Sequence, residues 1–237
     1  MNLAQKTKMV TVSIVRFGLL LGIKLFARMF YRFEVQWVRV PSEPWVDVRL
    51  FVLLNHTSLF EPLFLGVMPL KYLWMLAVKG TYPGAEKTLM RPIAGRFFRS
   101  LTADTIAISR KRDHTWDTFL GTIRPDSIVI MFPEGRMKRR TGLDMFGRPL
   151  RVRSGIADVL AHMTSGHMML GYSQGLHHVQ APGEGFPKLF KTIAIRIEQM
   201  PIATYKEALC VTTGREFNKA VMSDLEERRD AQIQKVV

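Results

Sequence analysis

The sequence predicts an α/β domain with a largely parallel sheet flanked by helices, preceded by an amphipathic helix. Two observations carry this reading. Beyond Pro41 and Pro44, short apolar runs alternate with stretches of helical period, the pattern of strands joined by crossover helices. Ahead of them, residues 9–30 are mostly apolar yet carry Arg16, Lys24 and Arg28. The chain has 237 residues, enough to bury one sizeable core, and its length alone does not require a second. It divides on this reading into an N-terminal segment, 1–40, and one α/β domain, 41–237.

In the N-terminal segment the uncharged runs 9–15 and 17–23 are short of the roughly 20 apolar residues of a spanning helix. At 100° per residue, positions 16, 24 and 28 share one sector, and Val12, Ile14, Val15, Leu19, Ile23, Phe26 and Phe30 cover much of the rest. That pattern suits a helix lying in a membrane interface with its cations toward anionic headgroups. A helix packed on the domain's own core is the alternative. No cleaved signal peptide is expected, because charge interrupts the apolar stretch.

Further along, Val48–Leu54, Tyr72–Val78, Thr105–Ser109, Ser127–Phe132, Met168–Tyr172 and Thr192–Ile197 read as strands. Arg91–Leu101, His114–Ile123 and Ser154–Met163 read as helices, with Glu216–Gln234 as a charged terminal helix. Residues 136–153, rich in Lys and Arg, read as a long cationic loop. In open α/β sheets, loops leaving the carboxyl ends of strands assemble sites. Polar groups follow the strands here: Asn55-His56, Lys79, Arg110, and Glu134-Gly135-Arg136.

A net charge of +14 attracts polyanions without choosing between nucleic acid, anionic lipid and phosphorylated substrates. No nucleic-acid-binding signature is present to favour the first. A single cysteine, Cys210, leaves no internal disulfide framework and no cysteine-rich metal site, and fits a reducing compartment. His162, His167, His177 and His178 lack zinc spacing. Ser58 and Ser173 sit in no Gly-x-Ser-x-Gly elbow.

Two segments could carry chemistry. In Asn55-His56-Thr57-Ser58-Leu59-Phe60-Glu61-Pro62, an apolar strand runs into a histidine, and a carboxylate follows just ahead of a proline suited to a helix start. If the segment turns, Glu61 can orient one imidazole nitrogen and leave the other to take a proton. A structural histidine is the alternative. In the second segment, Ile128 to Phe132 lead into Pro133-Glu134-Gly135-Arg136-Met137-Lys138-Arg139-Arg140. Glycine permits close backbone approach and arginine binds phosphate bidentately, so this is a candidate phosphate loop. A solvated basic turn has the same composition.

Together these segments resemble the glycerolipid acyltransferase family, whose members include 1-acylglycerol-3-phosphate acyltransferases: Asn-His-x4-acid, then Phe-Pro-Glu-Gly some seventy residues later. Weaker matches are Leu76-Ala77-Val78-Lys79, Thr105 to Arg110, Arg153-Ser154-Gly155, and Ile195 to Ile202, so that the resemblance spans about Val48 to Ile202. It implies His56 as general base with Glu61 as its partner, and Lys79, Arg110, Glu134, Gly135 and Arg136 around a phosphate-bearing acceptor. It further implies acyl-CoA or acyl carrier protein as donor, no metal or other cofactor, and a place on the cytoplasmic face of a membrane. The implied reaction acylates a lysophospholipid, 1-acylglycerol-3-phosphate first, in phospholipid biosynthesis. Glu61 stands where the family usually has aspartate, and Glu-Gly-Arg-Met-Lys replaces Glu-Gly-Thr-Arg-Ser. The second departure opens the alternative of another lysolipid or an amino-lipid acceptor. A non-catalytic protein binding anionic membranes is the reading from charge alone.

Overall fold

The computed structural model describes residues 3–109, 111–211 and 213–233. In chain order the elements begin α1 (Leu3–Phe30), β1 (Arg32–Trp37), β2 (Val48–Leu54), a 3-10 helix (Glu61–Val67), α2 (Leu70–Lys79), β3 (Gly80–Ala85), α3 (Glu86–Leu89) and α4 (Pro92–Leu101). They continue β4 (Asp104–Ile108), α5 (His114–Thr122), β5 (Ile128–Met131), α6 (Gly155–His162), β6 (His167–Ser173), β7 (Thr192–Pro201), α7 (Ile202–Ala208) and α8 (Gly214–Ile233). Four of the five strand pairings described are parallel, and only β6 with β7 is antiparallel. The α/β class with a largely parallel sheet flanked by helices is therefore what forms.

The chain falls into two compact units, Met1–Met29 with Leu63–Val129, and Phe30–Pro62 with Ile130–Val237. In the second unit the strand order is β1-β7-β6-β2. β2 and β6 are buried along almost their whole length, as expected of strands covered on both faces, which read as continuous apolar runs. α8 sends Phe217, Val221 and Leu225 inward at four-residue spacing. The 54↔172 register brings the exits of β2 and β6 level, so that Asn55 Nδ2 donates to the Ser173 carbonyl at 2.8 Å. Asn55 turns the chain there with φ of 62°, a left-handed conformation that asparagine tolerates better than most side chains.

In the first unit β3 pairs with β4 and with the start of β5. Here the expectation of a strand over Tyr72–Val78 is corrected: those residues lie in α2. Tyr72, Leu73, Leu76 and Ala77 are the buried positions, a helical i, i+1, i+4, i+5 pattern. Leu, Met, Ala and Lys outnumber β-branched residues there. The strand comes next, at Gly80–Ala85, concealed in sequence by Gly80, Pro83 and Gly84, which ordinarily punctuate strands.

α1 also differs from expectation in its orientation. Ser13, Leu20 and Ala27 are buried, and Arg16 and Lys24 share that face. Arg16 donates to the Ala103 carbonyl at 3.1 Å, and Lys24 to those of Gly66 and Met68, both at 2.9 Å. Two of the three cations thus satisfy protein carbonyls. The opposite face exposes Ile14, Val15, Leu25 and Met29, and Thr7–Phe30 is long and apolar enough, by length and composition, to cross a membrane.

Packing at Gly95 yields a paired test. A Cβ there would lie 2.1 Å from the Leu89 carbonyl oxygen, whereas one at Gly121 in α5 would meet nothing within 4 Å. Gly95→Ala should cost roughly 1–3 kcal/mol despite alanine's better helix propensity. Gly121→Ala should be neutral or stabilising by about 0.5 kcal/mol. Urea denaturation of both variants checks the pair.

Candidate active site

The candidate site forms in the second unit at the carboxyl ends of β2, β5 and β6. After the left-handed turn at Asn55 the chain doubles back, and Glu61 opens the 3-10 helix with Pro62 behind it. Glu61 Oε1 accepts the backbone N–H groups of Thr57 (2.8 Å) and Ser58 (3.0 Å). Its other oxygen, Oε2, lies 2.6 Å from His56 Nδ1. One buried carboxylate therefore shapes the turn and faces the imidazole. The additional methylene relative to aspartate gives Glu61 the reach to span both tasks. The His56 side chain is 16% exposed. The ring packs against Phe132, with centroids 4.9 Å apart.

Glu134 holds the same histidine from the other side. It is 2% exposed, and its Oε1 accepts the Asn55 N–H at 3.1 Å and its Oε2 the His56 N–H at 2.8 Å. Arg229 of α8 donates to Oε1 at 3.0 Å and to the Leu150 carbonyl at 3.2 Å. A carboxylate out of reach of water needs such compensation, because an unpaired buried charge costs several kcal/mol. Glu134 and the neighbouring Asp230 both favour the charged form of Arg229, against the effect of its burial. The Lys138 N–H completes the clamp by donating to the His56 carbonyl at 2.7 Å.

Gly135 has φ of 66°, and a Cβ there would meet nothing within 4 Å. Conformation, not crowding, is what calls for glycine. Arg136 Nη1 lies 2.6 Å from Asp144 Oδ2, and its guanidinium carbon sits 4.7 Å from the centre of the Phe146 ring. Asp144 also accepts the Phe146 and Arg148 N–H groups at 2.8 and 3.0 Å. The Arg148 N–H foremost, then the Arg136 guanidinium, hold its carboxyl down at about 2 against the effect of burial. The cationic loop 136–153 is thus a folded hairpin, bridged between Leu143 and Pro149.

Among the residues expected from sequence, His56, Glu61, Glu134, Gly135 and Arg136 lie in this unit. Lys79 belongs to the other unit, at the end of α2, 3.3 Å from Asp126. Arg110 lies outside the described residues. Sequence reasoning missed Arg229, 95 residues from its partner, inside a run of alternating charges that reads as a solvated helix face. It also missed Asp144 and Gln180; Gln180 Oε1 accepts from Ser58 Oγ at 2.7 Å.

Residues 37–172 match the family model for acyltransferases. The chain belongs to the acyltransferase family. The matched stretch contains His56, Glu61 and Glu134, and stops short of Arg229. Among solved structures, this acyltransferase is similar to the 1-acyl-sn-glycerophosphate (LPA) acyltransferase PlsC from Thermotoga maritima. The TM-score is 0.61 at 16% sequence identity, covering 98% of this chain and 88% of that one, a likeness of fold. No curated protein matches at a significant level. The resemblance to glycerolipid acyltransferases is borne out at the level of family and fold.

The contacts of Glu134 lead to a kinetic expectation. Glu134→Gln turns one backbone acceptor into a donor, so kcat should fall roughly 10- to 100-fold through misplacement of His56, with the acceptor KM little changed. Arg229→Met should cost about 3–5 kcal/mol of stability by stranding the carboxylate. Combining it with Glu134→Gln should recover much of that loss. Steady-state kinetics and denaturant midpoints provide the readouts; a raised KM at constant kcat would mean that Glu134 touches substrate.

Proposed function

We propose that this acyltransferase moves a fatty acyl group from a thioester donor, acyl-CoA or acyl carrier protein, to a hydroxyl of a lysophospholipid at a membrane surface. The observation that carries the reading is His56, with Nδ1 against Glu61 and its backbone clamped from both sides, because general-base transfer needs one nitrogen oriented and the other available. The acceptor hydroxyl loses its proton to Nε2 as its oxygen bonds to the thioester carbonyl carbon. Collapse of the tetrahedral intermediate breaks the carbon–sulfur bond, and the imidazolium returns the proton to the departing thiolate. Glu61 stabilises the imidazolium in between. A thioester is already activated, so positioning and base catalysis supply the chemistry.

The neighbour named for 1-acyl-sn-glycerophosphate makes that molecule the first acceptor to test. The Arg136–Asp144 pairing favours keeping a second acceptor class in view. A guanidinium already committed to a carboxylate has fewer donors for a phosphate fork. Lys79 and Arg110 are further candidates for acceptor binding, and Gly135 permits the turn that brings Arg136 past the site. In this reading Glu134 positions the base instead of touching the acceptor.

His56→Ala should lower turnover about 10²- to 10⁴-fold while leaving folding intact. Glu61→Asp should retain substantial activity and Glu61→Gln should lose most of it, since the charge stabilises imidazolium. Product analysis with both donors and a panel of lysolipids checks the acceptor, and more than about a tenth of wild-type turnover in His56→Ala would remove it from the role.

Membrane association rests on α1, whose outward face is apolar while its inward face holds Arg16 and Lys24. Leu25→Glu, at an exposed position, should weaken sedimentation with vesicles at least tenfold, as burying one leucine is worth about 1.5–3 kcal/mol. Its circular dichroism should match wild type.

A further inference from the structure

The loop 182–191 between β6 and β7 presents an apolar, cationic tip that none of the chemistry above uses. Phe186 is 90% exposed and Phe190 73%, with Leu189 also exposed. Lys188 and Lys191 flank them on the surface. Clustered exposed aromatics with adjacent cations are the composition of surfaces that enter the lipid headgroup region. The acid of this loop, Glu184, accepts from Arg140 through Oε1 at 3.0 Å and from the Ala181 N–H through Oε2 at 3.0 Å, and Lys188 Nζ lies 3.9 Å from the same Oε1. The loop thus carries two lysines against one carboxylate, and that carboxylate's shorter contact is to Arg140.

The loop is also held in place. Lys188 N–H donates to the Val179 carbonyl at 2.8 Å, and Gln180 Nε2 to the Glu184 carbonyl at 2.7 Å. Phe190 takes φ of 58°, a left-handed backbone that bulky side chains rarely adopt and that persists only where surroundings enforce it. The enforcing contacts lie at the last residue of α1: the Phe190 N–H donates to the Phe30 carbonyl at 2.8 Å, and the two rings meet edge-on with centroids 5.8 Å apart. The aromatic tip is thereby tied to Phe30.

We propose that the Phe186–Phe190 tip is a second membrane contact, inserting its aromatic side chains into an anionic bilayer while Lys188 and Lys191 meet the headgroups. This rests on the membrane-surface reading of α1. Its consequence for catalysis follows from the base of the same loop. The Leu176 N–H donates to Thr57 Oγ1 at 2.7 Å, and Gln180 accepts from Ser58 Oγ. A bilayer-seated tip thus belongs to a loop whose base is hydrogen-bonded to the turn that carries His56, which suits an acceptor drawn from the lipid surface.

The test uses the full chain with the exposed Cys210 replaced by serine and Phe186→Cys labelled with an environment-sensitive nitrobenzoxadiazole probe. Vesicles of phosphatidylglycerol and phosphatidylethanolamine should shift the probe's emission to the blue and make it quenchable by spin-labelled lipid, with a much smaller response to phosphatidylcholine alone. Unlabelled Phe186→Ser, at a side chain too exposed to matter for folding, should partition into the anionic vesicles at least tenfold less. If the labelled protein sediments with vesicles while the probe stays water-exposed, the loop proposal fails and the α1 anchor stands. If wild-type protein does not sediment at all, both fail. A probe response to acyl carrier protein with none to vesicles would assign the tip to donor docking and overturn the proposal.

Discussion

The buried carboxylate of Glu134 is the constraint from which the rest of the site follows. Two consecutive backbone N–H groups, those of Asn55 and His56, converge on it. They can do so only because Asn55 takes a left-handed turn at the end of β2. That turn leaves two donors pointing away from the sheet, and an unpaired buried donor is costly. Glu134 satisfies both, so the exit of β5 is tied to the exit of β2, and the imidazole is mounted on a backbone with little freedom to drift. The charge then has to be balanced, and Arg229 arrives from α8 to do so.

The same logic organises the loop that follows. Asp144 gathers two backbone N–H groups and one guanidinium, so the basic stretch 136–153 folds on an internal carboxylate instead of extending into solvent. Its first turn puts the Lys138 N–H on the His56 carbonyl, while the Lys138 carbonyl meets His177 Nε2 at 2.6 Å. Three buried carboxylates, Glu61, Glu134 and Asp144, each order a segment of backbone. Of the three, Glu61 also faces the His56 imidazole. Preorganisation of this kind fixes a side chain in advance of any ligand, which is where most of the advantage of a bound geometry lies.

The loop between β6 and β7 joins two kinds of feature. Its base packs on Thr57 and Ser58 and its tip carries exposed aromatics. α1 shows a related division of labour, with Arg16 and Lys24 capping protein carbonyls and the apolar residues facing out. Two of the three cations that suggested headgroup contact in the sequence hydrogen-bond to protein carbonyls instead, and the face opposite them is apolar and exposed.

Much of this was legible in the sequence. Continuous apolar runs announced β2, β5 and β6, because strands covered on both faces have no polar side to show. His56 and Glu61 could be paired from spacing plus a required turn, and Glu134-Gly135 from its place at a strand end. α2 was misread as a strand because its short apolar run lacks the polar positions that reveal a helical period. β3 was hidden by its own glycines and proline. Only the tertiary structure decided that Glu134 addresses the backbone of His56, that Arg136 pairs with Asp144, and that Arg229 neutralises a carboxylate 95 residues away. Sequence records periodicity and local chemistry, whereas the partner of a buried charge is set by which distant segments the fold brings within three ångströms of it.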